Sequence, residues 1–113
     1  MDSYYNDTMF LEPWYYIGSD YKNEVEIVEK ELYKELCSEH QLFGHKMIAV
    51  ARREGQDDVL FCFNEDKSRL AEVHLTWKGG IESSPTWPRT KIYTSFKEWS
   101  EKRMIPENQD FSL

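Results

Sequence analysis

The feature that most constrains the fold is a series of three apolar segments separated by short polar turns. The segments are Met47–Arg53, Asp58–Phe63 and Leu70–Trp77, and the intervening residues 54–57 and 64–67 are mostly polar. Apolar runs of this length, bounded by turn-forming residues, are typical of β-strands. Because turns this short join neighbouring strands that run in opposite directions, the pattern predicts an antiparallel meander.

The three predicted strands differ in how they are covered. Met47–Arg53 and Asp58–Phe63 are apolar at successive positions, as expected for strands that are buried on both faces. Leu70–Trp77 alternates instead, so its apolar and polar side chains point to opposite faces of the sheet. The polar face of this third strand carries Glu72, His74 and Thr76.

A helix is predicted before these strands, over Asp20–Glu39. Apolar residues recur there at intervals of three and four and form one stripe along a helix. The stripe consists of Tyr21, Val25, Val28, Leu32 and Leu36, widened by Ile27, Tyr33 and Cys37. Ser19 or Asp20 is suited to cap the first free amides, and the helix should stop near Gly44. The opposite face, expected to meet solvent, carries Glu24, Glu31 and Glu35.

The remaining sequence predicts one further strand and a second helix. Residues 78–89 form a long loop, and Thr90–Thr94 could form a short fourth strand. Ser95 followed three residues later by Glu98 matches a capping box, and the helix that it opens should end before Pro106.

Together these elements predict an α+β fold. An N-terminal amphipathic helix packs on a three- to four-stranded antiparallel meander, and a short C-terminal helix follows. The length of 113 residues suits a single domain over 1–113. Residues 1–19 are rich in aromatic and acidic side chains and have little helical periodicity. They form either a strand, a packed arm or an arm that faces a partner.

The negative charge is concentrated near the start of the sequence. Residues 1–39 contain ten acids and three bases, a net charge of −7, whereas residues 40–113 sum to zero. Nucleic acid is disfavoured as a direct ligand because phosphate binding requires a basic surface. An acidic surface instead attracts basic partners and speeds their association. The same charge could also serve solubility alone.

No segment of the sequence indicates export, a membrane span or a bound cofactor. The first residues lack the basic region of a signal peptide, and the longest apolar run, Met47–Ala51, is far shorter than the ~20 residues of a membrane helix. Cys37 and Cys62 lie in apolar segments, which predicts two buried thiols. No Cys/His cluster indicates a metal site. We therefore expect a cytoplasmic protein without a metal or cofactor.

His74 is the centre of the arrangement that best fits an enzyme. Glu72 and His74 share one strand face, and Arg52 could approach from a neighbouring strand. Such a group could supply an acid, a base and a phosphate clamp to a small hydrolase or nuclease. The alternative is an ordinary polar sheet face whose side chains pair with nearby charges.

Trp87 is the most suggestive single residue for binding. It lies between Pro85 and Pro88 in the long loop. A tryptophan in this position is either a plug over the edge of the sheet or an exposed anchor at a protein interface.

Three stretches carry a resemblance to known proteins. VARREGQDDVLFCF, AEVHLTW and PTWPRTKIYTSFKEW, all within residues 45–100, resemble a recurrent group of small stand-alone bacterial proteins. In size and acidity the chain is also similar to immunity proteins that are encoded beside toxins. The resemblance implies a cytoplasmic α+β protein that masks a basic toxin, and it implies no catalytic residues.

The charge distribution favours a non-enzymatic protein-binding protein, such as an immunity protein, that offers an acidic surface to a basic protein partner. The residues expected to contact this partner are Asp7, Glu12, Glu24, Glu31, Glu35 and Trp87. The alternative is a small hydrolase or nuclease centred on His74, with Glu72 and Arg52. A third hypothesis is a small apolar ligand pocket between helix and sheet.

Overall fold

The computed structural model describes residues 4–18 and 21–111. Four consecutive strands occupy the middle of the chain, with helices before and after them. In order, the elements are a 3-10 turn (Asp7–Met9), strand β1 (Trp14–Tyr16), helix α1 (Lys22–Glu35), strands β2 (Met47–Arg53), β3 (Asp58–Phe63), β4 (Asp66–His74) and β5 (Arg89–Tyr93), helix α2 (Phe96–Trp99), a π-helical turn (Ser100–Met104) and helix α3 (Ile105–Phe111). The last three are continuous and form one C-terminal helical segment.

All five strands lie in one antiparallel sheet, and their order in the sheet follows the sequence. The predicted α+β class, the antiparallel meander and the C-terminal helix are confirmed. Two parts of the prediction are wrong. The sheet has five strands rather than three or four, and the first helix is not the N-terminal element because β1 precedes it. With three residues, β1 is too short to display the alternation by which a strand is recognised.

Helix α1 is shorter than the predicted Asp20–Glu39. It ends well before Gly44, because Leu36 already has an extended backbone. The turns that follow α1 lead the chain back towards the sheet. The proposed capping residues Ser19 and Asp20 lie outside the described residues.

The sheet is covered on both faces, and each face has its own core. On one face, here called the α1 face, helix α1 packs over a cluster that includes Leu32 and Phe61. The opposite face, here called the C-terminal face, is covered by the C-terminal helical segment and the aromatic residues near the start of the chain. There Trp14 and Trp99 meet edge to face, with ring centroids 5.0 Å apart. The aromatic segment is therefore packed into the fold.

The buried side of α1 is rotated relative to the predicted stripe. Leu32 is fully buried as predicted, but Ile27 and Tyr33 are 53% and 45% exposed. The side chains of Glu31 and Glu35 are buried in their place, with 5% and 0% exposure. The expectation that these two acids face solvent is wrong, and the Glu35 carboxylate hydrogen-bonds to the loop that follows β4.

A β-bulge in β2 decides where two consecutive arginines point. The register with β3 shifts in the middle of β2, and an inserted residue inverts the alternation of the side chains beyond it. Arg52 therefore reaches α1, where its Nη1 lies 3.0 Å from Glu24 Oε2. Arg53 points to the C-terminal face, where its Nε lies 3.5 Å from Glu107 Oε1. The two arginines thus connect β2 to a helix on each face.

The C-terminal helical segment begins where it was predicted to begin but continues further. Ser95 Oγ accepts a hydrogen bond from the Glu98 amide at 3.0 Å, and the Glu98 carboxylate accepts one from the Thr94 amide at 2.8 Å. The prediction that the helix ends before Pro106 is wrong. Proline cannot donate a backbone hydrogen bond, and the wider π-helical turn just before it accommodates this break in the pattern.

Both cysteines are buried and unpaired with each other. Burial raises the pKa of the Cys62 thiol to about 11. Among the helices of residues 4–18 and 21–111, none combines the length and the apolar character that crossing a bilayer requires.

Two substitutions on α1 test the observed orientation of the helix. Leu32→Ala should lower the free energy of unfolding by about 2–5 kcal/mol, because it opens a cavity in a core that excludes water. The matched change Ile27→Ala removes a largely exposed side chain and should cost less than about 1 kcal/mol. Urea unfolding of both variants gives the comparison. Equal losses, or a larger loss for Ile27→Ala, would favour the orientation predicted from the apolar stripe.

Candidate functional site

A groove of about 610 Å³ lies beside the end of β4 and the start of β5. It is called the β4–β5 groove below. Residues 85–88, the last part of the loop that connects the two strands, form one wall, and the turn after α1 borders it. The groove brings together three of the residues singled out in the sequence, Glu72, His74 and Trp87. The other charged and imidazole side chains that line it belong to His40, Asp58, Arg89 and Lys91.

Asp58 orients the imidazole of His74. The two residues are directly opposite each other in the register of β3 and β4, and Asp58 Oδ1 lies 2.8 Å from His74 Nδ1. Asp58 is mostly buried, while nearly half of the His74 side chain is exposed. A carboxylate on one ring nitrogen fixes the ring and directs the other nitrogen towards a ligand or a transferred proton.

Glu72 does not act together with His74. Its carboxylate accepts a hydrogen bond from Trp99 Nε1 at 2.9 Å and two short ones from the Arg103 guanidinium. These hydrogen bonds raise the pKa of Arg103 above its ordinary value. Glu72 therefore holds the C-terminal helical segment on the sheet.

Arg52 lies on the other side of the sheet from His74. Beyond the bulge of β2 its side chain points to the α1 face, where Glu24 accepts hydrogen bonds from both Arg52 and the Tyr15 hydroxyl, at 3.0 and 2.9 Å. Burial, reinforced by the contact with Glu24, raises the pKa of Tyr15 to about 12. The predicted group of Glu72, His74 and Arg52 is therefore not assembled, because the bulge separates the arginine from the histidine.

Two exposed cations, Arg89 and Lys91, lie in the groove beside two carboxylates, Asp58 and Glu72, that are engaged with His74 and Arg103. The guanidinium of Arg89 lies over the ring of Trp87, 4.9 Å from its centroid, and the Lys91 ammonium lies 5.6 Å from the ring of Tyr93. Over residues 4–18 and 21–111, no carboxylate forms an ion pair with Arg89 or Lys91. Both side chains are on exposed residues. Trp87 is partly buried and remains partly accessible.

His40 anchors the end of the loop that leads into β5. It is buried, its Nδ1 accepts the Leu42 amide at 3.0 Å, and its Nε2 lies 2.9 Å from the Pro88 carbonyl oxygen. This pattern assigns the ring proton to Nε2, which donates to Pro88. His45, the third histidine, lies 3.3 Å from Glu65 instead. No group of residues in the described chain could hold a metal ion.

Glu35 anchors the beginning of the same loop. Its buried carboxylate accepts hydrogen bonds from the Thr76 amide at 3.0 Å and from the Trp77 amide at 2.9 Å. Its backbone carbonyl accepts the Glu82 amide at 3.0 Å. Trp77 has a positive φ of 57°, a backbone conformation that residues other than glycine rarely adopt. Sequence reasoning missed this role because the bonded residues lie about forty positions apart.

Glu31 lies one helical turn before Glu35 and is also buried. Desolvation, reinforced by the neighbouring Glu35 carboxyl, raises the pKa of Glu31 to about 7. Its nearest cation is Lys34, with Nζ 3.9 Å from Oε1.

The acidic helix face expected from the sequence is not present. Of the acids expected to contact a basic partner, Glu24 is paired with Arg52, while Glu31 and Glu35 are buried. Asp7 and Glu12 are exposed. The charged residues on the outer side of α1 are mainly basic, because this side carries Lys22, Glu26, Lys30 and Lys34.

Comparison with known proteins adds no relative: no family model, no curated protein and no solved structure matches this chain. The resemblance to small bacterial proteins and to immunity proteins therefore stays a prediction. The functional interpretation rests on the geometry of the groove.

The role of His40 in shaping the groove can be tested by removing its side chain. His40→Ala should lower the free energy of unfolding by about 1–3 kcal/mol, because it leaves the Leu42 amide without an acceptor and removes one of the two donors to the Pro88 carbonyl, which keeps the Thr90 hydroxyl. His45→Ala, which removes a partly exposed contact with Glu65 and an edge contact with the Phe63 ring, should cost less than about 1 kcal/mol. Thermal and urea unfolding measure both changes. A loss no larger for His40→Ala than for His45→Ala would contradict an anchoring role.

Proposed function

We propose that the chain is a non-enzymatic protein-binding protein whose recognition surface is the β4–β5 groove. An acidic segment of the partner sets a carboxylate against Arg89 and Lys91, and an apolar or aromatic side chain against Trp87. The observation that supports this most strongly is the pair of exposed cations that have no carboxylate partner in the described chain, on a protein with a net charge of −7. Opposite charges across an interface give specificity and a fast association rate.

The residue types in the groove are suited to protein recognition. Tryptophan and arginine are the side chains most enriched among residues that dominate binding energy. Trp87 and Arg89 already contact each other, so little side-chain freedom remains to be lost on binding. The connecting loop is held near both ends, by Glu35 and His40. This support keeps the Trp87 region ordered before a partner arrives.

An immunity protein that masks a toxin is one form of this function. The proposal differs from the expectation based on sequence in the charge of the contacting segment, which is acidic rather than basic. Of the acids predicted to contact a basic partner, only Asp7 and Glu12 are exposed, because Glu24 is paired with Arg52 and the other two are buried. This distribution favours the two exposed cations of the groove over an acidic face as the recognition surface.

A small hydrolase centred on His74 is the second candidate, and the Asp58–His74 contact favours it. In this reading His74 is the general acid or base, Asp58 orients it, and Arg89 stabilises negative charge that develops on the substrate. Neither cysteine lines the groove, so a thiol is not the nucleophile, and we assign this role to a water molecule. Glu72 and Arg52 take no part, since each is committed to a structural ion pair.

The groove can be tested with a synthetic peptide rich in aspartate and glutamate that contains one tyrosine. Replacing both Arg89 and Lys91 by alanine should raise its Kd by about tenfold or more, which corresponds to about 1.4 kcal/mol, and should make binding less sensitive to salt. Lys97→Ala removes an exposed lysine on α2, outside the groove lining, and serves as the control. Calorimetric titration at low and high salt provides the measurement. If the control loses as much affinity as the double variant, the cations of the groove do not form the binding site.

His74→Ala separates the two candidate functions. If the chain is a binding protein, His74→Ala should keep its affinity for the peptide within about threefold. Neither the unmodified protein nor the variant should then hydrolyse phosphodiester or carboxylic ester substrates. A hydrolase should show a turnover that disappears in His74→Ala, while Lys97→Ala retains it. Turnover that depends on His74 would replace the binding proposal by the catalytic one.

A further inference from the structure

Two buried carboxyl groups lie side by side on α1. Glu31 and Glu35 are one helical turn apart, and the exposed fractions of the two residues are 5% and 0%. Two ionised carboxylates repel each other strongly where little water can screen them, and burying an uncompensated charge is costly. A single proton between them removes one of the charges.

The two acids have different partners. Both oxygens of Glu35 accept the Thr76 amide at 3.0 Å, and one also accepts the Trp77 amide at 2.9 Å. By contrast, Glu31 Oε2 is buried and has no hydrogen-bond partner among the described residues. A proton held on Glu31 therefore leaves Glu35 free to accept both loop amides.

The charged groups around the pair come from two elements. Lys34 faces Glu31 from the same helix, at 3.9 Å. On the loop side, the buried carboxylate of Glu82 accepts the Thr76 hydroxyl and lies 3.3 Å from the Lys78 ammonium. The sheet beneath α1 contributes apolar side chains, such as Val73 and Leu75. Because Lys78 is occupied by Glu82, no cation from the loop neutralises the pair.

We propose that a proton held on Glu31, one helical turn from the Glu35 carboxylate, acts as a latch that holds residues 76–82 against α1, and that loss of this proton releases the loop. While the proton is present, both carboxyl groups stay buried and the two loop amides remain bonded. When it leaves, the two negative charges separate, Glu31 turns outward towards Lys34 and solvent, and Glu35 loosens its hold on the loop. The positive φ of Trp77 is then no longer enforced.

The direction of the pH dependence follows from the burial of the pair. Because burial raises the pKa of Glu31 to about 7, the folded protein holds this proton more tightly than the unfolded chain does. The contribution of the latch to stability is therefore complete at acidic pH and is lost as the pH rises through about 7. A latch of this kind responds within the physiological range.

The latch is also expected to affect binding in the groove. Only a short stretch separates the latched residues 76–82 from Pro85–Arg89, which form the groove wall. Release of the loop should therefore weaken binding in the groove. This consequence, unlike the latch itself, rests on the function proposed above.

Carbon-13 NMR of the side-chain carboxyl groups and hydrogen exchange of the Thr76 and Trp77 amides test the latch in the unmodified protein. We expect Glu31 to titrate near pH 7, and the protection of the two amides, corrected for the intrinsic exchange rate, to fall about tenfold between about pH 6 and pH 8. Titration of Glu31 below about pH 5, or protection that does not change with pH, would overturn the proposal.

A matched pair of variants isolates the proton. Glu31→Gln is neutral at every pH and should abolish the pH dependence of amide protection, whereas Glu26→Gln, an exposed position on the same helix, should behave as the unmodified protein does. A pH dependence that persists in Glu31→Gln would contradict the latch. If Glu31→Gln does not fold, the NMR titration of the unmodified protein decides alone.

The acidic peptide distinguishes a failure of the latch from a failure of the proposed function. Its affinity should fall as the pH rises through about 7 in the unmodified protein and stay constant in Glu31→Gln. Absence of peptide binding at every pH, with the pH step in amide protection intact, refutes the groove and leaves the latch. Peptide binding with constant amide protection refutes the latch and leaves the groove.

Discussion

The hydrogen bonds from the Thr76 and Trp77 amides to the buried Glu35 carboxylate connect helix α1 to the loop that builds the groove. A backbone amide that is buried without a hydrogen-bond acceptor costs about 1–3 kcal/mol of stability. The amides just after β4 therefore need an acceptor nearby. Glu35 supplies it at the end of α1, and His40 supplies a second anchor just after the helix. Helix α1 therefore fixes the beginning of the loop whose last residues form the groove wall.

Features that depend on neighbouring residues were predictable from the sequence, and features that depend on distant residues were not. The turn between β2 and β3 and the capping box at Ser95 are local, and they were predicted correctly. The bounds of the next strand were wrong, because β4 covers Asp66–His74 rather than Leu70–Trp77 and begins inside the predicted second turn. The burial of Glu31 and Glu35 was missed because their buried environment includes a loop about forty residues further along the chain. On sequence alone, a glutamate beside an apolar stripe belongs to the solvent face.

The candidate site was predicted only in part, because some of its contacts depend on residues that are distant in the sequence. That Glu72 and His74 point to the same side of β4 follows from simple alternation, and both line the groove. Asp58 was missed because its contact with His74 depends on the register of β3 and β4, which composition does not reveal. Arg52 was assigned to the wrong face, because a β-bulge has no reliable signature in a single sequence.

The most direct test of this account removes the central interaction without touching the groove. Glu35→Ala leaves Arg89, Lys91 and Trp87 in place but deprives the Thr76 and Trp77 amides of their acceptor. If the folded state persists, as judged by a cooperative unfolding transition, the account predicts that the affinity for the acidic peptide falls at least about tenfold. Unchanged affinity in this folded variant would contradict the claim that α1 builds the recognition surface through Glu35.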